Sequence, residues 1–172
     1  MQIGTNTEFP KDITIPEALN VPAGNVFKFA LYGIGVAGYK FKKSESTWNI
    51  CKGDTFYFNH PKDISFNSGS IVAMSSAVGL GQSGEILEGP IKSLIPGDTS
   101  LCAGKGTPDY HPELKTLRGV IGKPTTYQGE TFSDITYVTS HIREHALPTE
   151  IDSDGYVCSI PISVILLFYK SA

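Results

Sequence analysis

Apolar and polar residues alternate along the first third of the chain. In Val26-Phe27-Lys28-Phe29-Ala30-Leu31-Tyr32, the side chains of Phe27, Phe29 and Leu31 share one face at period two, and a second such segment runs from Val36 to Lys42. Gly33 and Gly35 between them supply turn geometry, so two strands joined by a turn are expected. Thr55-Phe56-Tyr57-Phe58-Asn59 alternates in the same way up to His60-Pro61, and Asp63-Ile64-Ser65-Phe66 repeats the pattern. Ser70 to Met74 is also strand-like, and Thr131 to Ile142 is rich in Thr, Val, Tyr and Ile. The run Val164–Phe168 is continuously apolar, which predicts a strand covered on both faces, with Pro161 at its start or at a bulge. Gly24-Asn25-Val26-Phe27, Gly53-Asp54-Thr55-Phe56 and Gly129-Glu130-Thr131-Phe132 share one pattern, read as a tight turn feeding a strand whose Phe enters the core.

Residues 79–130 break this rhythm: they hold ten of the eighteen Gly and five of the eleven Pro, with Tyr110 and Tyr127 as the sole aromatics. The one helix candidate there, Glu85 to Leu94, is interrupted at Gly89-Pro90. A long, loop-rich excursion is therefore expected over 79–130. The fold class that follows is all-β: one antiparallel β-sandwich or barrel-like domain spanning 1–172, of about eight to ten strands, with Val164–Phe168 at the centre of its core.

Composition narrows the function classes. A chain of 172 residues suits one domain that folds without a metal or disulfide framework. A formal charge of −3 with no dense Lys/Arg run argues against nucleic-acid binding. No apolar run reaches the length of a membrane-spanning helix. The segment Met1 to Glu8 has neither the basic nor the apolar region of a secretory signal, so localisation stays open. Cys51, Cys102 and Cys158 are too scattered for a zinc site; either three free buried thiols or one disulfide, Cys102 with Cys158, fits the count.

Several motifs touch known chemistries. Gly79-Leu80-Gly81-Gln82-Ser83-Gly84 fits the spacing of a dinucleotide-binding loop, but no parallel βαβ pattern continues from it, and a Gly-rich loop is expected instead. His141-Ile142-Arg143-Glu144-His145 fits the inverted zincin spacing without the helix that chemistry needs; a surface pair of His, with adventitious metal binding at most, is expected. Asp152-Ser153-Asp154-Gly155 opens like a calcium loop, but Ser163 stands where the twelfth-position Glu would be, which leaves a polar turn. Lys52 to His60 looks like the strand entry of a cupredoxin, yet no His or Met follows Cys158 to complete a copper site.

Leu19-Asn20-Val21-Pro22-Ala23-Gly24-Asn25 through Gly35-Val36-Ala37-Gly38-Tyr39, with Phe132-Ser133-Asp134-Ile135-Thr136-Tyr137-Val138 through Leu147-Pro148 and Phe168-Tyr169, resembles an uncharacterised family of small, often secreted fungal and bacterial proteins. The chain departs from the family pattern at His145, where a Gly of the family's Gly pair would stand. The resemblance implies a β-rich domain and no established activity.

The leading functional expectation is a non-catalytic, lectin-like binding protein that takes a carbohydrate or other small ligand through loop aromatics and a neighbouring His: Trp48, Tyr110, His111 and Tyr127. One alternative is a small enzyme using His141, Glu144 and His145, or His60, as acid–base groups in a barrel mouth. Another is a structural or stress-related protein without a small ligand. No cofactor is expected, and the pattern leaves the oligomeric state open.

Overall fold

A computed structural model describes residues 1–65, 68–77, 86–113, 116–144, 147–148 and 151–172. It contains eight strands: β1 (Asn25–Lys42), β2 (Thr47–Phe58), β3 (Ala73–Ala77), β4 (Ile86–Ser93), β5 (Leu101–Tyr110), β6 (Leu117–Gln128), β7 (Ile135–Glu144) and β8 (Val157–Ser171). Each pairs antiparallel with the next, and β8 pairs back onto β1 from Lys40↔Val157 to Asn25↔Ser171, so the sheet closes into an all-β barrel. Closure removes the open strand edges that would otherwise invite association. The end of the barrel at the 3-10 turn Lys43–Glu45 between β1 and β2 is called upper here, and both termini lie at the lower end.

Alternation decides which side chains enter the barrel. On β1, Phe29, Leu31, Ala37 and Tyr39 point inward, all at most 2% exposed. Gly33 and Gly35 lie on the same face inside an uninterrupted strand of 18 residues, which corrects the expected turn between two strands. The glycines are there for space: a Cβ on Gly33 would stand 2.7 Å from the Tyr57 ring, and one on Gly35 2.1 Å from the Asp54 carbonyl oxygen. On β2, Trp48 and Ile50 face inward, and then Cys51 is left unpaired between Tyr39↔Ile50 and Gly38↔Lys52. This bulge shifts the parity, so that Gly53, Thr55 and Tyr57 are the inward residues beyond it.

The outer wall at β1 and β8 is not bare. Residues 1–24 cross it as a strap whose Ile13, Ile15 and Val21 pack on Ala30, Leu167 and Tyr169. Within the Val164–Phe168 run, Val164, Leu166 and Phe168 face the interior and Leu167 lies under the strap, all below 5% exposed, whereas the outward Ile165 is only half-buried, so the expected two-sided cover is incomplete. The buried Asn59 side chain holds the strap: its Oδ1 accepts from the Gly4 N–H at 2.9 Å and its Nδ2 donates to the Gln2 carbonyl at 2.8 Å.

Other sequence expectations need correction. Within 79–130 lie β4, β5 and β6, so most of the supposed excursion forms barrel staves, and the helix candidate Glu85–Leu94 contains β4. Pro90 is tolerated because it falls in the irregularity between Glu88 and Ile91. Asp63 closes a 3-10 turn, Pro61–Asp63, in place of the expected strand at 63–66, of which Phe66 is outside the described residues. Gly24 and Gly129 do occupy turns with φ +90° and +71°, whereas Gly53 sits inside β2 and Phe56 faces solvent at 44% exposure. All three cysteines are free, with Cys51 exposed and Cys102 buried. Cys102 on β5 and Cys158 on β8 lie near opposite ends of non-neighbouring strands, which excludes the expected disulfide.

Candidate functional site

The barrel interior is filled at both ends and open between them. At the lower end Phe29 stacks on Phe168 with ring centroids 4.4 Å apart, and Phe132 stacks on the same ring at 5.6 Å. At the upper end Trp48 packs between Phe41, at 5.3 Å, and Tyr156, at 6.2 Å. Between these groups lies a cavity of about 70 Å³. Ile91, Val120, Ile142 and Val164 supply much of its wall, and Gly53 and Gly89 line it without a side chain.

Four hydroxyl-bearing side chains line this largely apolar chamber. Tyr57, 3% exposed, has its hydroxyl 2.9 Å from the Ser75 Oγ, and Thr55 and Ser140 line the same space. None of the residues described around the cavity carries a charge. The chamber therefore suits a small, largely apolar molecule with one hydrogen-bonding group, because an ion placed here would lose its hydration without a counter-charge. Among the described residues no group of three or more His, Cys, Asp or Glu is placed to hold a metal.

The residues expected to bind ligand are not gathered at one place. Trp48 is on β2 and not on a loop; it is 6% exposed, and its Nε1 donates to the Pro148 carbonyl at 3.3 Å, so it closes the upper end of the core. Tyr110 ends β5 half-buried against the core, and burial raises its pKa above the usual phenol value. His111 organises the adjacent turn: its N–H donates to the Thr116 carbonyl at 2.8 Å and its Nδ1 accepts from the Glu113 N–H at 3.3 Å. Tyr127 lies near the other end of the barrel, where its hydroxyl donates to the Ile135 carbonyl and pins the β6–β7 turn.

The acid–base expectation also changes. Ser140 and Ile142 line the lumen, so His141 between them points to the outer wall and away from a barrel mouth. Its Nε2 is 3.0 Å from the Thr139 hydroxyl, and burial lowers its pKa from 6.5 to about 4. Glu144 ends β7; its side chain, His145 and the Gly-rich loop 79–84 are outside the described residues. His60 precedes the turn at Pro61–Asp63, on the strap side of the molecule. In the calcium-like segment, the Asp154 Oδ1 accepts from the Lys43 N–H at 2.8 Å and Gly155 has φ +77°, as a polar turn requires.

Sequence reasoning missed Tyr57, Ser75 and Ser140. Their signal is weak: a hydroxyl side chain at an inward parity position is recognisable only when the register, including the Cys51 bulge, is known. Fold and site define an eight-stranded antiparallel barrel with an uncharged lumenal cavity. Comparison of the chain with protein-family models, curated proteins and solved structures gives no match.

Proposed function

We propose that the protein is a non-catalytic binder that takes a small, mainly apolar molecule into the barrel lumen. The observation that carries this reading is the uncharged cavity between the two aromatic groups, with the Tyr57–Ser75 hydroxyl pair on its wall. Eight-stranded barrels have interiors just wide enough to be filled by side chains or to hold one small ligand. The lining favours an alcohol or a similar molecule over a sugar, whose many hydroxyls would go unpaired there. No observation favours catalysis, since His141 faces away from the cavity.

Calorimetric titration with propanol tests the proposal. At a ceiling of about −1.5 kcal/mol per non-hydrogen atom, its affinity is bounded at tens of micromolar, so millimolar binding is the expected result. Val120→Phe fills the chamber and should abolish binding. Ser75→Ala removes one hydroxyl and should weaken it about fivefold, the worth of a hydrogen bond near 1 kcal/mol. Binding that survives Val120→Phe would remove the lumen as the site.

A further inference from the structure

A second concavity lies on the outside of the barrel, where the strap crosses β7, β8 and β1. It encloses about 510 Å³, within the range of roughly 300–1,000 Å³ typical of sites for small molecules. The strand registers order its floor. His141 pairs with Ile165 and Ile165 with Tyr32, which gives one outward row across three strands. One step up, Arg143 pairs with Ser163 on the same outer face. The strap contributes Ile13 as an apolar wall, and Pro61 and Ile64 stand on the facing side.

The charges of the groove are uneven. Arg118 is committed to Asp109 through an Nε–Oδ2 contact of 2.6 Å. Lys11 and Asp12, adjacent on the strap, offset one another in charge. The Arg143 side chain is exposed and makes no ion pair or hydrogen bond with the described residues. Among the described residues it is thus the uncompensated cation of a cleft whose neighbouring floor, at Ile165, is apolar.

We propose that this groove binds a small amphipathic carboxylate, with the carboxylate on Arg143 and the apolar portion over Ile165 beneath Ile13. The guanidinium offers a planar pair of donors that matches a carboxylate, and Ser163 beside it can donate a further hydrogen bond. His141 then lies next to the bound chain, where the incoming negative charge favours its protonated form. The titratable and charged groups around His141 in the groove are Lys11 and Asp12 on the strap, Tyr32 on β1, Arg118 on the flanking strand β6, and Arg143 two residues along β7 itself. This site is separate from the lumen and holds whether or not the lumen is occupied.

Octanoate is the probe, followed by calorimetry and by the imidazole resonances of His141. Saturable binding is expected, with a rise in the His141 midpoint; octanol should bind at least tenfold more weakly. Arg143→Gln should lower octanoate affinity at least tenfold, and Arg143→Lys should restore part of it. Because Arg143 is exposed, these variants keep the fold, which the His141 resonance itself verifies. Val120→Phe, which fills the lumen, should leave octanoate binding unchanged. The proposal is overturned if octanoate leaves His141 unmoved, or if Arg143→Gln or octanol behaves as the wild type does with octanoate.

Discussion

Leu19 is 1% exposed because position 119 carries no side chain beneath it. A Cβ on Gly119 would stand 2.5 Å from the Leu19 Cδ1 and 2.5 Å from the Ser140 carbonyl oxygen. The carbonyl belongs to the β7 backbone and cannot yield as a side chain would, so Gly119→Ala should destabilise the protein by about 1–3 kcal/mol in urea unfolding. His141 makes a prediction of a different kind. Its folded pKa, about 4, lies below the unfolded value of 6.5, so the unfolded chain binds the proton more readily. Stability from this group is complete above pH 6.5 and is lost as the pH falls toward 4, a change of about 2 kcal/mol. His141→Asn should flatten that part of the curve; an unchanged slope would show that other groups cause it. At this scale the sequence was legible wherever one residue's environment is set locally, as for Gly24 and Gly129 in their turns. Gly33 was misread because a glycine that makes room for a ring looks, in sequence, like a glycine that turns the chain; the ring, on Tyr57, is 24 positions away.

The strap and β2 show how elements depend on partners distant in sequence. The Ala30 N–H, on β1 before its first pair with β2 at Tyr32↔Phe58, donates to the Asn6 carbonyl at 3.0 Å. Asn59, just past β2, holds the strap that supplies this acceptor. Asn59→Ala should cost about 1–2 kcal/mol, since the buried side chain's hydrogen bonds to the half-buried Gly4 N–H and to the Gln2 carbonyl are lost. It should also accelerate hydrogen exchange at the Ala30 amide; unchanged exchange there would mean that the strap is held by Ile13, Ile15 and Val21 alone. Strands with clean alternation were recognisable from the sequence, and β8 most readily because Val164–Phe168 is continuously apolar. β4, β5 and β6 were not, because Pro90, Gly104 and Pro124 read as breakers. A Cβ on Gly104 would lie 2.4 Å from the Lys123 carbonyl oxygen, so that glycine serves close strand approach, while Pro90 and Pro124 stand at or beside register shifts.

Barrel closure is what turns these local choices into a site. The first and last strands pair over nearly their whole length, bringing Gly33 and Gly35 against Val164 and Ile162. The inward face of β2, offset by the Cys51 bulge, adds Thr55 and Tyr57 to the same chamber. The all-β class was legible because alternation is a property of single strands, whereas the lumen belongs to the register among several and has no signature within any one of them. For the same reason the loop aromatic expected to bind ligand at Trp48 gives way to a buried ring that closes the upper end of the core. The central claim is that the lumen is a binding cavity, and a methyl-resolved NMR titration with propanol tests it most directly. Saturable shifts concentrated at Ile91, Val120, Ile142 and Val164 are predicted. Shifts absent from these methyls, or confined to Ile13 and Ile165 on the outer wall, would contradict the claim.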